Sequence, residues 1–263
     1  MAENIAIGDN PRMDVFEGHT PEIKIRTKKM MMWLIIFAVV MLFAGITSAM
    51  IVLYGKLIWV KIVPPTVLWV SNALVIASSI TMIMAVRALK AGNTKNAMVL
   101  TALTFVLGMG FTMTQNAAWD NLAGKGMGYT ITETPEGLKA YRWNALDRLS
   151  GEYGTDYYIQ YKGDRLDKVG NEYYMSTDTG RIQPVTQDVV KTFNAAGAML
   201  SVLIYIHIIH LFFGLVYLVV NTIRIYKGRL SKDNWISLYA GGMYWHFMGI
   251  LWLYLFAFIF YLS

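Results

Sequence analysis

The chain has 263 residues, of which 56% are hydrophobic and 15% charged, with a mean hydropathy of +0.42 and a formal net charge of +6. That composition excludes an ordinary soluble surface, and the basic residues flank apolar runs instead of forming one patch with interleaved aromatics, which argues against nucleic acid as a partner. Cysteine is absent, which removes disulfides, thiolate catalysis, iron-sulfur clusters and cysteine-based zinc sites.

In chain order, residues 1–29 form a polar leader that becomes amphipathic near Ile23 to Arg26. No small-residue cleavage site follows the first apolar run, so that run is expected to be a retained anchor. His19, alone in the leader, is given no role. A span needs about 20 predominantly apolar residues, and five stretches qualify: 30–54, 66–86, 97–115, 195–221 and 236–262, none with a charged residue in its interior. The expected fold is therefore an all-α polytopic membrane protein with five transmembrane helices. Residues 30–116 hold helices one to three and residues 195–263 hold helices four and five.

Lys and Arg set orientation through the short loops. Lys24, Arg26, Lys28 and Lys29 precede the first span, Arg87, Lys90 and Lys95 lie between the second and third, and Arg224, Lys227, Arg229 and Lys232 lie between the last two. The opposite short loop has only Lys56 and Lys61. The N-terminus is thus expected to be cytoplasmic and the C-terminus external. Residues 117–194 then form an external (periplasmic) insertion between helices three and four. Within it, "YYIQYKGDRLDKVGNEYYMSTDTGRIQPV" (157–185) alternates in short runs broken by Lys-Gly-Asp, Val-Gly-Asn and Asp-Thr-Gly, which is hairpin chemistry, so a small β-rich unit is expected. The preceding "ETPEGLKAYRWNALDRLSGEYG" suggests one short helix.

Polar residues in the spans are few and therefore informative. His207 and His210 in "YIHIIHLFFG" share one helix face at i, i+3, and His246 is the remaining intramembrane histidine. A haem or metal would need further ligands, and the spans contain no carboxylate or cysteine. Polar contacts between helices are the favoured reading; a His-ligated membrane cytochrome is the alternative from another class. Ser71, Asn72, Ser78 and Ser79 in "SNALVIASSIT" can bond across helices while small residues allow close approach. Gln115 and Trp119 mark the outer membrane boundary, where an indole is suited. Apart from the histidines no ionisable group lies in a span, which disfavours a stand-alone transporter, and no phosphate loop, metalloprotease helix or nucleophile elbow occurs.

Four of these segments, in order, resemble subunit III of the haem-copper cytochrome oxidases. "YWHFMGILWLYLF" (244–256) is similar to that family's closing motif, with Trp245, His246, Phe247 and then Trp252. "IHIIHLFFG" resembles its His-x-x-His-x-x-x-Gly helix through His207, His210 and Gly214, "SNALVIASSIT" its Asn/Ser-rich helix, and "LGMGFTMTQNAAWDNLAGKG" its Gly, Phe, Gln, Trp, Leu, Gly series. The resemblance implies a five-helix bacterial form in the plasma (inner) membrane, lacking the first two helices of the seven-helix type. It implies a subunit without catalytic residues, redox centre or metal of its own in a proton-pumping terminal oxidase of aerobic respiration. Such a subunit stabilises subunit I, supports proton uptake and holds phospholipid in a cleft, expected here between spans one and two on one side and three to five on the other. Subunits I and II are the implied partners, with haem and copper in those partners. The implied donor is cytochrome c, with a quinol oxidase as the alternative, and cytochrome c or another respiratory complex would approach near the external insertion. Two positions depart from the family pattern: Val39 stands where a glutamate is common in the first helix, and Gly249 where an acid usually follows the Trp-His-Phe run. Both favour a structural, lipid-holding role over direct proton handling.

Overall fold

The computed structural model describes residues 21–54, 58–62, 65–124, 129–133, 139–143, 151–191 and 195–262. His19 and most of the leader lie outside them. The elements run α1 (Pro21–Tyr54), β1 (Trp59–Ile62), α2 (Val67–Lys90), α3 (Thr94–Gly124), β2 (Tyr129–Glu133), β3 (Lys139–Trp143), β4 (Tyr157–Tyr161), β5 (Asp164–Val169), β6 (Glu172–Met175), α4 (Thr186–Lys191), α5 (Ala195–Tyr226) and α6 (Ile236–Leu262).

Five helices, α1, α2, α3, α5 and α6, are long and apolar enough to cross a membrane, so the chain is a mostly helical, multi-pass membrane protein. Four of them, α1, α2, α3 and α5, are longer than the apolar stretch that marks them, because backbone bonding continues into the polar flanks, whereas α6 coincides with its stretch. Pro21 opens α1 in the first turn, where a missing N–H costs nothing. Helix α2 ends in a Schellman motif: Gly92 has φ +84°, its N–H donates to Leu89 O at 3.0 Å, and Asn93 N–H donates to Ala88 O at 2.9 Å. Asn93 Oδ1 then accepts from Asn96 N–H at 3.1 Å and caps α3. The turn therefore stops one span and starts the next within a few residues.

Packing is uneven around the bundle. Helix α2 lies along α3, α3 against α5, and α6 touches α1, α2 and α5. Helix α1 packs on α5 and α6 but forms no seam with α2. The cleft expected between spans one and two and the rest is consequently closed where α2 meets α3, since Ser71 bonds Thr114 (2.9 Å) and Thr81 bonds Thr104 (2.8 Å) across that pair. Helices α1 and α2 each pack on α6.

The insertion contains the expected antiparallel sheet. Lys162 and Gly163 take φ +51° and +91° between β4 and β5, the two positive values a type I′ hairpin requires. Gly170 (φ +61°) opens the turn from β5 to β6. After β6, Asp178 Oδ2 accepts from Ile182 and Gln183 N–H, both at 2.9 Å, and folds the Asp-Thr-Gly turn onto itself. Strand β1, from the short loop after α1, joins the sheet edge in the order β1-β4-β5-β6, with Trp59 opposite Gln160 and Ile62 opposite Tyr157. Both loops therefore lie on one side of the bundle, as five spans demand. The short helix was expected within residues 133–154, of which 134–138 and 144–150 lie outside the described residues. Residues 139–143 are strand β3, paired with β2, because Tyr141 and Trp143 favour an extended chain.

A single core joins sheet and bundle. Ile58, Val60, Tyr157, Ile159, Leu166 and Tyr173 pack with Leu122 of α3, Leu200 and Ile204 of α5, and Ile259 of α6. Burial pushes the Tyr173 hydroxyl up to about 12 and raises those of Tyr153 and Tyr157, so all three are neutral core groups at ordinary pH.

Candidate functional site

The polar residues singled out in the sequence gather along the inner face of α6. Trp245 and Trp252 are seven residues apart, two turns of one face, and both indoles are buried. Trp245 Nε1 donates to Ser78 Oγ at 3.1 Å, and Trp252 Nε1 donates to Asn72 Oδ1 at 2.9 Å. Ser78 and Asn72 are six residues apart on α2, so two tryptophans of one helix meet two acceptors of another in register. Small residues make the approach possible. A Cβ on Gly108 of α3 would lie 2.6 Å from Trp245 Cη2, and one on Gly249 would lie 3.2 Å from Val75 Cγ2. Gly214 of α5 faces Tyr244 and Trp245 at ordinary contact distance. Glycine at 249, where the resemblance leads one to expect an acid, thus lets α6 close on α2.

The histidines behave differently from one another. His210 is half-buried, its Nδ1 lies 2.7 Å from Ile206 O of its own helix, and its backbone carbonyl accepts from Tyr244 OH at 3.0 Å. His246 is half-buried in a groove between α2 and α6 beside Ser79, Gly249 and Leu253. His207 is 2% exposed, and among the described residues neither ring nitrogen has a hydrogen-bond partner. It sits among rings: Trp252 at 5.6 Å and Phe43 at 6.3 Å between centroids. Phe43 also meets His210 at 6.1 Å, and Val39 packs into the same apolar cluster one turn away. The helix that could have offered His207 an acceptor offers carbon.

Gln115 is buried with its amide unpaired among the described residues, and Trp119 Nε1 is likewise without a partner. Trp119 bridges the membrane core and the core shared with the insertion. Phe247 packs with the α1-facing cluster. Sequence reasoning missed Thr114, Thr104 and Tyr244, which complete the interhelical bonds. The threonines could have been found by asking which hydroxyls on α3 recur at the spacing of Ser71 and Thr81 on the antiparallel α2. Among the described residues no cluster of three or more metal-ligating side chains occurs. What the arrangement does chemically is fasten helices together.

The family comparison falls on the last two helices, α5 and α6. Residues 189–263 match the family model described as cytochrome c oxidase subunit III. Proteins named cytochrome c oxidase subunit 3 are similar over short segments. That of Glycine max is 37% identical over 54 residues, 20% of this chain and 20% of the relative. That of Rhipicephalus sanguineus is 35% identical over 54 residues, 20% of this chain and 21% of the relative. That of the bacterium Alkalihalophilus pseudofirmus is 33% identical over 58 residues, 22% of this chain and 28% of the relative. The aligned segment thus spans about a fifth to a quarter of the curated relatives it matches.

Proposed function

From the similarity of residues 189–263 to the family described as cytochrome c oxidase subunit III, we propose that the chain belongs to that family and is a structural, non-catalytic subunit of a respiratory terminal oxidase. It packs in the membrane against the catalytic subunit, which with subunit II carries the haem and copper. The observation that carries this reading is the fastened α2–α6 seam: the motif residues Ser78, Asn72, Trp245 and Trp252 are engaged with each other. A role in holding shape explains them.

The finer assignments belong to the same reading. The Lys- and Arg-rich turns beside α2 and α5 support an N-terminus in the cytoplasm of a bacterial cell, with the sheet outside the inner membrane. Cytochrome c is the donor, in keeping with the names of the similar proteins, and it or another respiratory complex approaches on the side of the sheet. Affinity purification of the tagged full chain, with mass spectrometry of what accompanies it, tests the proposal. Two larger oxidase subunits should co-purify, with oxygen consumption driven by reduced cytochrome c. Purification of the chain alone, or a haem band from this chain after separation, would refute it, and turnover with quinol but not cytochrome c would move it to the quinol branch.

A further inference from the structure

Helix α1 is held to the bundle along one stripe. Its buried residues are Ile36, Val39, Phe43, Thr47 and Met50, spaced by three and four so that they fall on one face, and no described side chain from 22 to 35 is buried. The stripe meets α5 and α6, and Tyr254 OH donates across it to Thr47 Oγ1 at 3.1 Å. Apolar contact between helices in lipid has no hydrophobic driving force and no direction of its own. The stripe therefore places α1 beside α6 without fixing its tilt.

At the far end of that stripe α1 meets the sheet. Alternate residues of a strand face opposite sides, and β1 uses both. Trp59, 2% exposed, packs with Met50, Leu53 and Tyr54 at the end of α1, whereas Ile58 and Val60 pack with Tyr157 and Ile159 in the core of the sheet. The Tyr54 and Trp59 rings meet edge to face at 5.6 Å. Lys61, on the Trp59 side, places Nζ 5.4 Å from the centre of the Tyr54 ring and 5.7 Å from that of Tyr158, the residue directly opposite it on β4. Arg165 of β5 lies over the same Tyr158 ring at 4.8 Å. One row of cations and rings, Tyr54, Lys61, Tyr158 and Arg165, thereby joins α1, β1, β4 and β5.

We propose that β1 is a clasp by which the inserted sheet grips the end of α1 and sets the tilt of that helix in the bundle. The device links two distant places: pairing of β1 with β4 at one end of α1 decides where Ile23 stands at the other. At 1.5 Å per residue, Ile23 is about 36 Å along the axis from Thr47. A change of tilt of about 10°, small against the 0–40° that transmembrane helices adopt, moves Ile23 by about 6 Å. The clasp is independent of the function proposed above, because it needs only this chain.

The chain has no cysteine, so introduced cysteines carry the only spin labels, and pulsed electron paramagnetic resonance on the full chain in lipid nanodiscs reads the distances between them. Ile23→Cys with Met84→Cys reports α1 against α2, and Met84→Cys with Val219→Cys reports α2 against α5; all three positions are exposed. Replacing the strand by Trp59→Gly, Val60→Ser, Lys61→Gly and Ile62→Ser keeps the loop length and opens the clasp. The first distance should then shift or broaden by about 6 Å, the displacement expected from the tilt, while the second stays as in the wild type. Trp59→Ala with Lys61→Ala leaves Val60 in the sheet core and should move the first distance in the same direction by less, which keeps the test decisive if the four-substitution variant fails to insert. Trp59→Phe with Lys61→Arg should keep the wild-type distance. An unchanged first distance in any clasp variant that inserts, or an equal change in the second, would overturn the proposal.

Discussion

The membrane bundle and the inserted sheet are held together by opposite means. In the bundle, specificity rests on a few side-chain bonds between long helices whose backbones are already satisfied internally, as the bilayer requires. In the sheet, the backbone pairing itself is the long-range bond: β1 and β4 are about a hundred residues apart and meet strand to strand. A helix in this protein can lose a partner and remain a helix, whereas a strand that loses its partner is no longer a strand. The two regions nonetheless share a core, so damage to the weaker one reaches the stronger.

The largest effect follows from that shared core. Excising residues 128–188 behind a short Gly-Ser bridge removes Tyr157, Ile159, Leu166 and Tyr173 from contact with Leu122, Leu200, Ile204 and Ile259. At about 1.5–3 kcal/mol for each large apolar side chain, the loss is on the order of 6–12 kcal/mol. The excised chain should insert with five spans but lose heat resistance and become protease-sensitive near Ile58 and Leu200. An excised variant whose thermal inactivation matched the wild type would show instead that the sheet is a passenger on a self-sufficient bundle.

This coupling shows where the sequence was legible. The five spans were, because apolar length is a one-dimensional signal that the bilayer enforces. The hairpins between β4 and β6 were also legible, because Lys162-Gly163 and Gly170 carry their turn chemistry locally. Strand β1 was not: "WVKI" is four residues in a short loop, and only its distant partner makes it a strand. In the candidate site, Ser71, Asn72 and Ser78 bond Thr114, Trp252 and Trp245 of other helices, and which partners they meet depends on how the helices are rotated. The same limit applies to the histidines, which look equivalent in sequence and differ only in what the neighbouring helix presents.

A smaller effect is expected inside the seam. Trp252→Phe keeps most of the ring contact with Phe111 and His207 but deprives Asn72 Oδ1 of its donor. Interhelical bonds in membranes average about 0.6 kcal/mol, with a maximum near 1.7, so the variant should lose about 1 kcal/mol. Asn72→Leu should rescue part of it, because removing both polar partners spares the unpaired acceptor. Thermal inactivation of the two single variants and the double variant, arranged as a double-mutant cycle, measures the coupling. Strict additivity would mean that the indole holds the seam by volume alone.

The smallest effect, with the opposite sign, belongs to His207. Its ring is as buried as the two tryptophans, yet neither nitrogen is paired among the described residues. A buried polar group without a partner costs about 1–3 kcal/mol, a cost that an apolar ring of similar shape does not carry. His207→Phe should therefore leave thermal stability unchanged or raise it by up to about 1 kcal/mol, while keeping ring contacts with Phe43 and Trp252. His210→Phe should lose stability modestly, since that imidazole is bonded to Ile206 O. A loss above about 1 kcal/mol in His207→Phe would mean that the assembled complex supplies His207 with an acceptor that the isolated chain lacks. The same measurement made on chain and complex separately would then locate that acceptor in a neighbouring subunit, because only the complex would be weakened.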